Sequence, residues 1–510
     1  MTSHQILIIF LISLGLVWLP APGMYGMFRK AGVAPWKALI PFYNIAVILN
    51  LAKRPMHWAI WQFIPVVGWF VVLGIYVEFV KTFGKFKFLE HLAAVAASPL
   101  YFPYLGFNDK DRFVGVEAVQ KHKKSATREW VDAGIFAVVA ATLIRIFVFE
   151  AYTIPTGSME KTLLINDFLF VSKWTYGPRV PNTPLSVPFV HHSLPGSNAK
   201  SYSEAITLPY TRWFASPVKR NDVVVFNFPA GDTVINRDEY QSAIPYYDVI
   251  RGMGQGNPDV GRKLLMENPD EYPLVIRPVD KKENYIKRCV AVAGETMQIK
   301  DGLVYVNGEA PFLPPASETY YYVSTNGQPL DPDVLKEEYD VDMEIPDEFT
   351  AGAQPNTFRM LLTNEARAKM LKNGLAKTTL PELNTMHDLY PYDTVHKWTE
   401  DNYGPIWIPK KGAALKLTPE NYTIYERAIR TYEHNQLENR GGKFFINGQE
   451  TDQYTFKMDY FWMMGDNRHG SQDSRYWGFV PEDHIVGSAS LIWMSWNHGV
   501  RWKRLFKKIR

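Results

Sequence analysis

Long apolar runs dominate the first 150 residues, whereas short β-branched and aromatic runs punctuated by turn residues dominate the remainder of the chain. Ile6 to Leu19 is almost free of polar side chains and, with the few residues before it, approaches the roughly 20 needed for a helical crossing. It lacks a basic leader and leaves through a bulky W-L-P, a poor cleavage context, so a retained anchor is predicted. Ala38 to Leu51 is short and broken by Pro41 and Asn44, which predicts an interfacial or packed piece. Trp58 to Val80 predicts a second crossing, kinked around Pro65 and Gly68 and ended by Glu78. His91 to Phe107, interrupted by Pro99 and Pro103, leaves a short helix, a re-entrant segment and a crossing all open. Val131 to Phe149 predicts a third clear crossing, with Asp132 near one interface and Arg145 snorkelling or paired.

Beyond residue 150 the pattern predicts strands at Asp222–Phe228, Tyr285–Ala293, Gly302–Gly308, Tyr460–Met464 and Ser488–Ser495, with Asn307-Gly308 a hairpin signal. Thr363 to Lys372 predicts a short helix. The fold class is therefore amino-terminal transmembrane helices followed by a mainly antiparallel β domain with α/β or irregular insertions. The expected division is a membrane region at 1–150, the first part of the β domain at 151–230 and an insertion at 231–279. Core then returns at 280–309, a large inserted subdomain fills 310–440, core closes at 441–500, and 501–510 forms a basic amphipathic tail.

Charge refines this picture. The basic loop from Lys81 to Arg128 favours the cytoplasm, and alternation from it puts the amino terminus inside, residues 20–57 outside and everything after 150 outside. A net charge of +3 gives no general case for nucleic-acid binding. The single cysteine, Cys289, excludes an intramolecular disulfide and a multi-cysteine metal site, and its apolar context predicts a buried small hydrophobe. The acidic block from Asp331 to Glu348 lacks EF-hand spacing and reads as a solvated surface. In the tail, Trp502, Leu505, Phe506 and Ile509 lie among basic residues, a pattern that suits anionic headgroups or a solvated end. Trp174, Trp213 and Trp477 are further candidates for membrane apposition.

Three separated stretches share one chemical requirement. Ser158 lies in Y-T-I-P-T-G-S-M-E-K-T-L-L just after the third apolar run, Lys287 lies in the strand signal Y-I-K-R, and M-G-D-N-R-H-G-S-Q-D-S-R-Y-W-G fills 464–478. A serine alcohol attacks an amide poorly unless a base takes its proton, and a lysine serves if apolar surroundings favour its neutral amine. Each stretch alone has a plainer reading: a structural or surface lysine, and a polar loop.

Together and in this order, Ile154–Leu163, Asn221–Phe226, Tyr285–Glu295 and Met464–Val480 resemble bacterial type I signal peptidase, a membrane-bound serine-lysine protease family. The resemblance covers about a tenth of the chain and leaves the insertions unexplained. It implies Ser158 as nucleophile and Lys287 as general base. The Thr156 hydroxyl and the Ser158 N–H would form the oxyanion hole. Ser471 would orient the lysine, Asp473 and Arg475 would form a structural ion pair, and Asp466 and Asn467 would shape the turn behind the site. Ile154, Pro155, Met159, Leu163, Tyr285 and Ile286 would wall the cleavage site and leave room for small substrate residues. The implied activity is signal-peptide removal after an Ala-x-Ala-like segment, without metal or organic cofactor.

The implied setting is the outer face of a bacterial inner membrane, with a multi-pass anchor. Exported preproteins, phospholipids and translocation machinery are the implied partners. The family commonly carries proline where this chain has Glu160 or Lys161. Ser158-x-x-Lys161 also matches the S-x-x-K of penicillin-binding enzymes, but their S-D-N-like and K-T-G companions are missing in suitable downstream context. A serine-lysine protease maturing another protein or itself, and a nonenzymatic assembly factor, are the rival readings.

Overall fold

The structure, a computed structural model, describes residues 3–64, 66–197, 199–229, 231 and 233–509. The chain separates into an amino-terminal helical unit and a larger β-rich unit. In the first, helices α1 (Ser3–Trp18) and α2 (Ala21–Lys30) follow one another across Leu19-Pro20, and α3 spans Tyr43–Leu51. Helices α4 (Val67–Lys81), α5 (Phe88–Ala96), α6 (Ser98–Phe107) and α7 (Ala126–Phe147) follow. Among the described residues, Ile6–Lys30 and Ala126–Phe147 are the two stretches long and apolar enough to cross a membrane.

The stretch expected to form the second crossing does not run as one helix. A helical turn at Trp58–Trp61 stops before Val66, whose φ is 63°, and α4 then supplies 15 residues, short of a span. A Cβ on Gly68 would overlap the Gln62 carbonyl, so the chain folds back on itself here. The expected kink residue Pro65 lies outside the described residues. The ambiguous 91–107 stretch resolves into the end of α5 and α6, which meet at Ala97. Gly23 and Gly26 of α2 lie against Phe102, Pro103 and Gly106 of α6, an approach that no side chain larger than hydrogen permits. Asn44 is packed inside this unit and donates from Nδ2 to the carbonyls of Val17 (2.8 Å) and Ala38 (3.2 Å).

The second unit is built on an antiparallel sheet of eight strands. These are β1 (Phe149–Thr153), β2 (Asp167–Ser172), β3 (Val223–Asn227), β4 (Asn284–Ala291), β5 (Tyr460–Met464), β6 (Val480–Pro481), β7 (Ile485–Ser495) and β8 (Lys507–Lys508). Their order is β1-β2-β7-β3-β4-β5-β6, with β8 added to β7. The β-branched run Val223-Val224-Val225 sits between β7 and β4 and is buried throughout, as a central strand demands. One apolar layer joins Ile154, Met159, Leu163, Leu169, Val223, Val225 and Ile492. Another joins Val224, Phe226, Phe228, Cys289, Met463 and Trp477, so Cys289 is the buried hydrophobe expected and Trp477 is a core residue rather than a membrane-facing one.

The inserted residues fold in two ways. Strands Phe349–Ala351, Thr357–Thr363, Glu318–Thr325 and Ala376–Pro381 form a four-stranded sheet with its own core of Val323, Leu335, Leu362 and Met370. Helix Asn364–Lys372 begins as expected, with the Thr363 hydroxyl accepting from the Ala366 N–H. Residues from Leu389 to Phe456 instead pack onto Trp462 and Phe479 of the main domain. Asn307-Gly308 does turn, with φ of 53° and 75°, but it closes Val306 onto Glu309, whereas Asp301-Gly302 turns the adjoining hairpin of Thr296–Lys300 and Leu303–Val306. The basic tail is pinned rather than loose. Arg504 donates to Asp167 at 3.1 and 2.5 Å, and β8 pairs with Leu491 and Ile492, leaving Trp502 and Phe506 exposed.

Candidate active site

Strand β1 ends at Thr153, Pro155 prevents its continuation, and an extended Thr156 delivers the chain into a single 3-10 turn at Gly157–Met159. Met159 and Leu163 sink into the apolar layer beneath, which anchors the turn and leaves Ser158 partly exposed. Lys287 comes from the middle of β4, opposite Val224 in the ladder, and is almost fully buried. Its Nζ donates to Ser158 Oγ. Residues 129 apart in sequence are thus brought into direct contact by a turn lying on a central strand.

Burial lowers the Lys287 amine from its ordinary 10.5 to about 8; Asp473 opposes that shift, Arg475 adds to it and Asp466 opposes it. The amine is therefore neutral far more often than an exposed lysine would be. It also lies 5.8 Å from the centre of the Tyr285 ring.

The 464–478 segment wraps behind this pair. Asp473 and Arg475 are both buried and bonded at 2.9 and 2.8 Å, and Asp473 also accepts from the Gly465 N–H at 3.1 Å. The arginine beside it holds the Asp473 carboxyl below its usual range against the opposing effect of burial. Asn467 reaches the Ser158 turn directly, with its N–H on the Ser158 carbonyl and Nδ2 on the Gly157 carbonyl, both at 3.3 Å. Asp466 accepts from Arg288 at 2.8 and 2.6 Å and from Thr162 Oγ1 at 2.7 Å.

Two sequence expectations differ from this geometry. Ser471 Oγ is buried beside Gly465 and makes no hydrogen bond among the described residues, so the expected bond to Lys287 is not formed here. Of the expected wall, Ile154, Met159 and Leu163 are closed into the core, Tyr285 and Ile286 are half-buried, and Pro155 is exposed. Their apolar character builds the floor under the turn as much as any groove. Thr156 is exposed immediately before the turn.

Sequence reading missed Arg288, Thr162, Ser317 and Glu318. Arg288 had a signal: in a strand, neighbours point to opposite faces, so an arginine beside a buried lysine in Y-I-K-R needs its own buried partner. No group of three or more His, Cys, Asp or Glu side chains among the described residues is arranged to hold a metal.

In the β domain of this membrane-associated chain a buried lysine meets a serine, and comparison with known proteins gives the class to which the chain belongs. Residues 127–348 and 413–496 match the signal peptidase, peptidase S26 family, and the chain belongs to that family, with its general role of a serine-type protease. The unmatched gap falls inside the large insertion. Residues 36–116 match a family of unknown function (DUF5684). Signal peptidase I of Haemophilus influenzae is 25% identical over 389 residues, 74% of this chain and 75% of that protein. Signal peptidase I of Buchnera aphidicola subsp. Acyrthosiphon pisum is 23% identical over 397 residues, 76% and 84% respectively. Signal peptidase I of Rickettsia massiliae is 27% identical over 184 residues, 36% and 44% respectively.

Proposed function

We propose that the protein removes signal peptides from exported preproteins by a serine-lysine mechanism, cutting after a small-x-small, Ala-x-Ala-like segment. The observation that carries this reading is the direct hydrogen-bond contact between Lys287 Nζ and Ser158 Oγ, with burial favouring the neutral amine that can accept the hydroxyl proton. As attack begins, neutral Lys287 takes the Ser158 proton while Oγ bonds to the scissile carbonyl carbon. The negative charge that develops on the carbonyl oxygen is met by the Ser158 N–H and the Thr156 hydroxyl, donors each worth about 3 kcal/mol where such holes have been dissected. Lys287 then gives its proton to the departing peptide amine as the C–N bond breaks, leaving an ester on Ser158. A water that loses a proton to Lys287 attacks that ester and restores the serine.

Asp473, Arg475, Asp466 and Asn467 act behind the site, fixing the turn and the amine's electrostatic setting. The apolar setting of Pro155, Tyr285 and Ile286 favours small substrate side chains, and an extended substrate would pair with backbone near Ser158. Helix α7 leads directly into β1, which supports a domain working beside a membrane, on its outer face. Phospholipids and translocation machinery are the partners this setting favours. The test is cleavage of a purified preprotein in detergent by wild type, Ser158→Ala and Lys287→Ala, with the product's new amino terminus determined. Cleavage after a small residue by wild type alone is expected; the same cleavage by either folded variant overturns the assignment.

A further inference from the structure

Strand Glu318–Thr325 of the inserted sheet is stapled to the turn behind the nucleophile. The Glu318 N–H donates to the Asp466 carbonyl at 2.8 Å, and the Arg468 N–H donates to the Glu318 carbonyl at 3.0 Å. Between those two bonds lies Asn467, which holds the carbonyls of Gly157 and Ser158. Ser317 adds a hydroxyl on the Asp466 carbonyl at 2.8 Å. One residue therefore separates an inserted strand from the backbone of Ser158.

The Glu318 side chain is out of keeping with a passive staple. It is 1% exposed, and neither carboxyl oxygen has a hydrogen-bond partner among the described residues. The charged groups that act on it electrostatically are Lys161, Glu160, Glu348 and Asp340. Nearby groups are turned elsewhere: Arg468 toward Ser317 Oγ at 3.2 Å, the Asp466 carboxylate toward Arg288, and His469 toward Asp401 at 2.9 Å and Thr319 at 3.2 Å. Lys161, the one cation among these, is already drawn to Asp340 at 3.2 Å and Glu348 at 3.8 Å. It stands three residues past Ser158, with φ of 63°.

We propose that the inserted strand is a positioning element for Ser158, and that Glu318 is a positioning residue which keeps the nucleophile turn in register only while its carboxyl is uncharged. The inference rests on the serine-lysine reading above. An uncharged carboxyl is tolerated in this buried, acidic corner, whereas a carboxylate there has no donor and feels three acids. Burial accordingly pushes Glu318 up to about 8, with Lys161 opposing that shift and the acids adding to it. On ionisation, Glu318 competes with Asp340 and Glu348 for Lys161, and the pull acts on the residues that carry Ser158.

The test is the pH profile of kcat/KM on a preprotein-derived peptide for wild type, E318Q, K161Q and S158A, with thermal unfolding of each followed at every pH. Wild type should rise as Lys287 loses its proton, then fall about tenfold per pH unit above the Glu318 transition. E318Q, fixed in the uncharged form, should lose the falling limb. K161Q should move that limb to higher pH, because removing that cation makes ionisation harder. A falling limb unchanged in E318Q, its absence in wild type, or a folded E318Q inactive at every pH overturns the proposal. If E318Q does not fold, an unmoved limb in K161Q overturns it. Cleavage surviving in S158A marks a different failure, that of the catalytic assignment itself.

Discussion

Lys287→Met should make the protein inactive and more stable at once. The amine is held at about 8 instead of its ordinary 10.5, with burial the leading cause. Between those values the unfolded chain carries a proton that the folded one lacks, so folding stability rises with pH across the window. Below about 8 the folded protein bears the whole cost of burying the ammonium, on the order of 3 kcal/mol at 1.36 kcal/mol per unit. Methionine has similar length and no charge, so at pH 7 the variant should gain a sizeable part of that figure. The gain should shrink toward zero as pH approaches 10.5. In the proposed mechanism the same cost serves catalysis: about one Lys287 in ten is neutral at pH 7, against about one exposed lysine in three thousand. The assay is denaturant unfolding in detergent at pH 7, 8.5 and 10 for both proteins. A Lys287→Met protein that is no more stable at pH 7, or whose advantage does not fall with pH, refutes the burdened amine and with it the basis for Lys287 as base.

Other substitutions probe the scaffold. Gly465→Ala should lower kcat at least about tenfold while the protein stays folded, because the added Cβ would overlap both the Ser471 side chain and the Ser158 carbonyl; peptide cleavage with a circular dichroism check reads this. Asp466→Ala removes the carboxylate that Arg288 bonds twice in a buried site, a charge the Asn221 carbonyl does not neutralise, and should destabilise the protein by about 3 to 5 kcal/mol in denaturant unfolding. Gly23→Val should drive α2 from α6 and lower the thermal unfolding temperature of the detergent-solubilised protein, with an unchanged transition counting against the close helix contact.

Much of this architecture was legible because local pattern and global fold agree. The runs Asp222–Phe228 and Tyr285–Ala293 read as strands, and they pair as the central β3 and β4, with β3 buried along its whole length as its β-branched run requires. The same logic failed at Trp58–Val80, where hydropathy and length implied a crossing with a kink around Pro65 and Gly68. Hydropathy does not register that Gly68 lets the chain double back over Gln62, a contact fixed by backbone geometry rather than by side-chain character. In the 464–478 segment, the residue types alone read as a polar loop; the family resemblance implied the ion pair that Asp473 and Arg475 form, and also a bond from Ser471 to Lys287 that this geometry does not make.

Glu318 marks the limit of sequence reading most sharply. It opens an ordinary alternating strand, and nothing in E-T-Y-Y-Y-V-S-T separates it from a surface carboxylate. Its burial comes from elements more than a hundred residues away on both sides, Glu160 and Lys161 before it and Asp466 to Arg468 after it. Such a corner cannot arise from stability alone, since an unpaired buried acid costs free energy that a leucine would not. It persists where the surrounding structure determines it, and here that structure carries the proposed nucleophile. The insertion is thus tied to the turn behind Ser158 through the backbone of Glu318 and the Ser317 hydroxyl, at the residue whose buried side chain its own fold least requires.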